Sequence, residues 1–255
     1  MNKEEIKNIA PKMESLKLWL DKFVILYAKE TAHYFYTPSA YVVTVVFLLI
    51  SGYFFATPIF LQNQANISTF LSIAPLLFIF FIPAITMRLI AEEYKSKTIE
   101  ILLTNPVTVP QVITAKLASA MTLIAVTLAL TLIYPLSISL LGNLDMGAVW
   151  CGYLGLALTC LLYGSIGMFA SSITKNQITA FIIGFMLCFI LFVTGKITSF
   201  VPGWLVNITN FLGTDSHLDN LSRGIIDSRD IIYYLTVSGF FMFLTYVKLI
   251  TSRTD

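Results

Sequence analysis

Apolar and charged positions along this chain fall in long blocks. Six stretches carry no charged residue at all: Tyr41–Leu61, Phe70–Met87, Leu117–Leu144, Ala148–Thr174, Ile178–Gly195 and Ile231–Val247. Each is long enough to cross a bilayer as a helix, which takes about 17 to 25 residues. Extending each block to its nearest stop signals predicts transmembrane helices over 40–61, 70–90, 109–141, 148–174, 177–196 and 229–250. A single stretch could be a buried core helix. Six in succession could not, because core helices need partners with polar outer faces. The expected class is therefore an all-α integral membrane protein with one transmembrane domain over residues 1–255.

Composition agrees with this reading. Of 255 residues, 57% are apolar and only 12% charged, against about 25% charged in an ordinary soluble domain. Lysine and arginine then set the orientation. Lys3, Lys7, Lys12, Lys17, Lys22 and Lys29 precede the first crossing; Arg88, Lys95, Lys97 and Lys116 flank the second connection; Lys175 lies in the fourth and Lys248 and Arg253 in the tail. All these fall on one side, while the other carries only Lys196, Arg223 and Arg229 in the segment before the last crossing, so both termini are expected in the cytoplasm. The net charge of +2 gives no case for nucleic acid. Cys151, Cys160 and Cys188 lie inside apolar blocks and read as packing residues, with no spacing suited to zinc. The first apolar block begins behind a charged segment and is too long for a signal-peptide core.

The segments between blocks carry local signals. Over 15–37, Leu16, Leu20, Phe23, Tyr27 and Tyr34 share a face, which suits a helix lying in the membrane interface or a solvated helix with anchoring aromatics. Pro38 would end it. Pro75, Pro83 and Pro135 are expected to kink their helices, with freed carbonyls finding partners on neighbours. Gly152, Gly155, Gly164, Gly167 and their serine neighbours would let backbones approach closely. The external segment 197–228 should fold back against the outer leaflet. Within it, Ser216 to Asp219 matches a capping box and Gly224 a stop. His217 is expected to be exposed, while Asp227 caps the last crossing and Asp230 sits in its first turn.

Several function classes lack their residues. No Asp, Glu, His, Lys or Arg occurs within the crossings except at their ends, which disfavours ion-coupled transport, an intramembrane enzyme or a stand-alone channel. No G-x-x-x-x-G-K-[ST] phosphate loop is present, so any ATP must be bound by a partner, and no cofactor or metal is expected. Energy from a partner would have to enter through a surface facing water. The charged insert after the second block is the obvious surface. Tyr94, Thr98 and Ile101 align at helical spacing, Ile99, Leu102 and Leu103 widen the stripe, and Lys95, Lys97 and Glu100 supply charge. Asn105 and Pro106 would stop this helix, and Thr108-Val-Pro-Gln111 would start the next as a capping box. An ordinary interfacial loop helix fits the same residues.

The run Arg88-Leu-Ile-Ala-Glu-Glu-Tyr-Lys-Ser-Lys-Thr-Ile-Glu-Ile-Leu-Leu-Thr-Asn-Pro-Val-Thr108 resembles the signature of ABC-2 type permeases, the membrane subunits of ATP-binding-cassette exporters. Lys29 to Tyr41 and Arg223 to Tyr234 agree, and together they resemble the gliding-motility-type branch. The resemblance implies a six-helix half-transporter in the cytoplasmic membrane of a bacterium, with short re-entrant helices on its outer side. It implies a coupling helix over 95–105 that docks on a nucleotide-binding ATPase subunit, with Glu92, Glu93, Tyr94, Lys95, Lys97, Thr98, Glu100, Ile101, Leu103, Thr104, Asn105 and Pro106 forming the contact. A second permease chain, identical or related, surrounding membrane lipid and an accessory envelope protein complete the expected partners. The alternative function is a non-transporting anchor or mechanical transmitter of an ATPase-driven envelope machine. Lys97 stands where many relatives have glycine, which should lengthen the coupling helix toward its start, and Thr31-Ala-His33 replaces a more basic stretch.

Overall fold

The computed structural model describes residues 3–62, 67–98, 107–140, 145–197, 202, 209 and 211–254. Described residues form α1 (Lys3–Tyr36), α2 (Pro38–Gln62), α3 (Ser68–Thr86), α4 (Ala91–Ser96), α5 (Val109–Thr131), α6 (Ile133–Ser139), α7 (Met146–Ile173), α8 (Gln177–Lys196), α9 (Thr214–Ser222) and α10 (Ser228–Thr254), and no strand. Six spans are long and apolar enough to cross a membrane: Pro38–Thr57, Ser68–Ser96, Val109–Ser139, Met146–Ile173, Gln177–Lys196 and Ser228–Ser252. The fold is all-α, as the charge-free blocks predict.

Helix α7 is the centre, packed against α3, α5, α8, α9 and α10. Its glycines make that possible. A Cβ on Gly152 would stand 2.5 Å from Leu71 Cδ1 of α3, and one on Gly167 would collide with the Thr86 hydroxyl. The small-residue stripe is thus used for packing within the chain. In contrast α2 and α8 leave most of their apolar side chains uncovered, the state of helices that face lipid or another apolar surface.

The crossing breaks at Leu132 between α5 and α6, and Pro135 sits in the first turn of α6. Lacking an N–H, it cannot bond the carbonyl of Thr131, one turn before it. The Tyr153 hydroxyl of α7 donates to that carbonyl at 2.9 Å, so the freed acceptor finds its partner on a neighbour. Elsewhere the membrane-depth hydroxyls of Thr127, Thr159 and Ser165 donate to carbonyls one turn back in their own helices.

In the segment before the last crossing the structure corrects two expectations. Helix α9 begins at Thr214 after Gly213, and the Ser216 hydroxyl donates to the Gly213 carbonyl at 2.9 Å, so the capping box Ser216–Asp219 does not form. His217 is buried. The cause is helical register: Thr214, His217, Leu218 and Leu221 occupy one face and pack inward, with Leu218 and Leu221 against Gly155 of α7. Both imidazole nitrogens meet acceptors, Asp230 Oδ1 at 2.6 Å and the Phe211 carbonyl at 3.1 Å, and the ring stacks on Tyr233 at 4.1 Å. Asp230 also accepts from Asn220 Nδ2. Gly224 does stop the helix, with φ of 82°, and Asp227 Oδ1 accepts from the Arg229 amide at the start of α10.

Candidate functional site

The charged insert emerges from a break in the second crossing. Helix α3 ends at Thr86, the chain turns through Met87–Ile90, and α4 begins at Ala91. A break at this depth exposes backbone groups that need partners. Ser171 of α7 supplies them: its hydroxyl oxygen accepts from the Ile90 and Ala91 amides at 3.0 and 2.9 Å and donates to the Met87 carbonyl at 2.9 Å. One serine thus uses its full hydrogen-bonding capacity to pin the bend.

A second pin is ionic. Lys116 of α5 reaches Glu93 Oε1 of α4 at 2.7 Å and Glu30 Oε1 of α1 at 3.1 Å, with the lysine side chain only 5% exposed. Lys116 is therefore no solvent-facing charge, as its place in the count of basic residues would suggest; it joins three helices. Helix α1 lies along the start of α5. Gln111 Nε2 donates to the Trp19 carbonyl at 3.0 Å, Tyr27 and Thr122 hydroxyls are hydrogen-bonded at 2.7 Å, and Trp19, Phe23 and Tyr27 stack in a ladder. On other faces of α1, Leu18, Leu20, Val24 and Ile25 remain exposed. The Tyr34 hydroxyl donates to the Ile85 carbonyl at 3.1 Å. Burial first, and then the Glu30 charge, hold that phenol above its ordinary pKa, so it stays a donor.

The end of α4 corrects another expectation. Lys97 does not lengthen the helix. It adopts the left-handed conformation, φ 59° and ψ 19°, and closes a Schellman motif in which the Lys97 amide donates to the Tyr94 carbonyl at 3.4 Å and the Thr98 amide to the Glu93 carbonyl at 3.0 Å. The lysine plays the part a glycine would play, at a steric cost that glycine avoids. The short helix runs Ala91–Ser96, with Glu92 and Glu93 in its first turn and Lys95 in its last, each matching the local dipole. Lys95, Lys97 and Thr98 are exposed, whereas the Tyr94 hydroxyl and Glu93 Oε2 are buried without a hydrogen-bond partner. Glu100, Ile101, Leu103, Thr104, Asn105 and Pro106 lie outside the described residues. Beyond them the expected capping box is present: the Thr108 amide donates to Gln111 Oε1 at 2.7 Å, opening α5.

A cleft of about 540 Å³ opens beside the bend, between α1, the start of α2 and the end of α3. Its rim carries Lys29, His33, Arg88, Glu30, Glu92 and Glu93, and its floor is apolar, with Val43, Ile85 and Leu123. Arg88 donates from Nη1 to the Ser39 hydroxyl at 3.0 Å. Sequence reasoning missed Ser171, Glu30 and Arg88 as members of this site. A serine within an apolar stretch carries no signal of its own, and Glu30 meets Lys116 only through the tertiary fold.

The six apolar spans and the broken second crossing describe a multi-pass membrane protein whose charged segment is held at the end of the helix bundle. Residues 24–252 match the model of the ABC-2 family transporter protein family. The chain belongs to that family, and is thus a permease subunit of an ABC transporter, whose ATPase resides in a partner. Comparison with curated proteins gives no match.

Proposed function

We propose that this chain is the membrane subunit of an ABC-2 exporter in the cytoplasmic membrane of a bacterium, with both termini in the cytoplasm. It pairs with a second permease chain and receives energy from two ATPase subunits through the segment from Glu92 to Pro106. The observation that carries this reading is the family match together with the two-pin bend, Ser171 on Met87–Ala91 and Lys116 on Glu93. A segment held at one end by α7 and α5 transmits a push on its far end to both helices. Differential binding of ATP by the partner is the energy source, since a ligand shifts a conformational equilibrium only by its differential affinity for the two states. Closure of the ATPase pair would then tilt α4, and through Lys116 and Ser171 would shift α5 and α7 between inward- and outward-facing arrangements. On this reading the chain supplies lever and pathway, while the chemistry of hydrolysis stays in the partner.

ATP hydrolysis tests the assignment. The purified chain alone is expected to hydrolyse no ATP above background, and adding the partner ATPase should produce hydrolysis that depends on the permease. Hydrolysis by the pure chain, or partner hydrolysis indifferent to it, contradicts the reading.

A further inference from the structure

The cleft beside the bend holds opposite charges that do not meet. Arg88 and Glu92 are four residues apart and both line it, yet among the described residues no ion pair within 4 Å joins them, and Lys29 and Glu92 take part in none. The one hydrogen bond described for the Arg88 guanidinium goes to Ser39. Glu93 gives one oxygen to Lys116, and its other oxygen is buried with no donor. Cationic donors and anionic acceptors with free capacity, facing one space of this size, suit a ligand that carries both charges.

The surroundings say which ligand. The floor of Val43, Ile85 and Leu123 is apolar. Tyr36 at the rim is 87% exposed and Tyr41, one turn beyond it, is 56% exposed, the placement of aromatic rings at a membrane–water boundary. We propose that this cleft binds the headgroup of an aminophospholipid of the ethanolamine type, with its phosphate at Arg88 and Lys29, its ammonium at Glu92 and toward Glu93, and its acyl chains along the apolar floor. An ammonium with N–H bonds fits better than a quaternary one, because the carboxylates need donors. The proposal rests on membrane placement and not on ATPase coupling, so it stands or falls separately.

Native mass spectrometry of the purified full chain, offered equal amounts of phosphatidylethanolamine, phosphatidylglycerol and phosphatidylcholine with the same acyl chains, tests it. Phosphatidylethanolamine should be retained most, and Arg88→Gln and Glu92→Gln should each lower its retention about tenfold, the effect of one charge-assisted hydrogen bond. Lys29→Gln, on an exposed residue that forms no ion pair among the described residues, should lower it less but measurably. Lys175→Gln, on the connection between α7 and α8, should leave it unchanged. Equal retention of the three lipids, or retention indifferent to all three cleft variants, overturns the proposal. Displacement of the lipid by soluble phosphoethanolamine at matching concentration overturns it too, since the ligand would then be a soluble aminophosphate.

Discussion

The cap and the elbow of this molecule are both short helices set against α7, but apolar packing and polar bonds hold them in different proportions. The cap, α9, buries Leu218 and Leu221 against Gly155, stacks His217 on Tyr233, and receives hydroxyls from Tyr163 and Tyr234 at Thr214. The elbow, α4, buries only Ala91 completely and is fixed by Ser171 and Lys116. Close apolar packing has one good arrangement and resists small displacements. Polar pins can exchange one partner for another at modest net cost so long as no charge is left buried alone. An asymmetry of this kind, a cap that holds its shape and an elbow that can take a second position, is what the proposed coupling requires.

Breaking the ionic pin should have the largest effect. Lys116→Met leaves the partly buried Glu30 and Glu93 beside each other without their cation, and since removing one partner of a fully buried pair costs about 3–5 kcal/mol, the loss should fall toward the lower end of that range. Thermal unfolding of the detergent-solubilised variant should drop sharply, and Lys116→Met combined with Glu30→Gln and Glu93→Gln should recover most of the loss. Stability like the parent's in the single variant would mean the pin is solvated and idle.

In the cap the corresponding change is milder. His217→Ala removes the bonds to Asp230 and Phe211 but leaves Asn220 donating to Asp230, so the cost should be about 1.5–3 kcal/mol, the range for hydrogen bonds to a charged group. The same thermal measurement checks it. A loss greater than that of Lys116→Met would reverse the comparison and make the cap the polar-pinned end.

The smallest change is a gain. Lys97 holds a left-handed conformation that costs a non-glycine residue roughly 1–2 kcal/mol. Lys97→Gly should relieve about 1 kcal/mol of it, less the extra freedom glycine has in the unfolded chain. Unfolding should therefore move slightly upward; a clear fall would show that the lysine side chain itself holds the elbow.

Local signals and tertiary ones differ in how far they could be read beforehand. The six spans were legible because lipid demands charge-free helices of fixed length. The Thr108–Gln111 box, the Asp227 cap and the Gly224 stop were legible because each satisfies backbone groups within a few residues. Lys116 and His217 were not. Each looks like a loop charge or an exposed polar residue, and only a partner from elsewhere in the chain, Glu30 for one and Asp230 for the other, makes it a core residue. Lys97 failed for a third reason: its side chain prefers helix, and the Schellman hydrogen bonds at Tyr94 and Glu93 override that preference. The proposed contact residues from Glu100 to Pro106 rest on sequence and family alone.

The lever is tested most directly where it would touch the ATPase. Glu100→Ala and Leu103→Asp should leave expression and membrane insertion intact, because Lys97 stands at the left-handed stop of α4 and can form no intrahelical pair with Glu100. Loss of a partly buried interfacial charge pair costs about 2–5 kcal/mol, so co-purification with the ATPase should weaken markedly in both variants, or hydrolysis should continue uncoupled from transport. If both variants retain the ATPase and support activity like the parent, the segment is an ordinary interfacial loop and the proposed coupling is wrong.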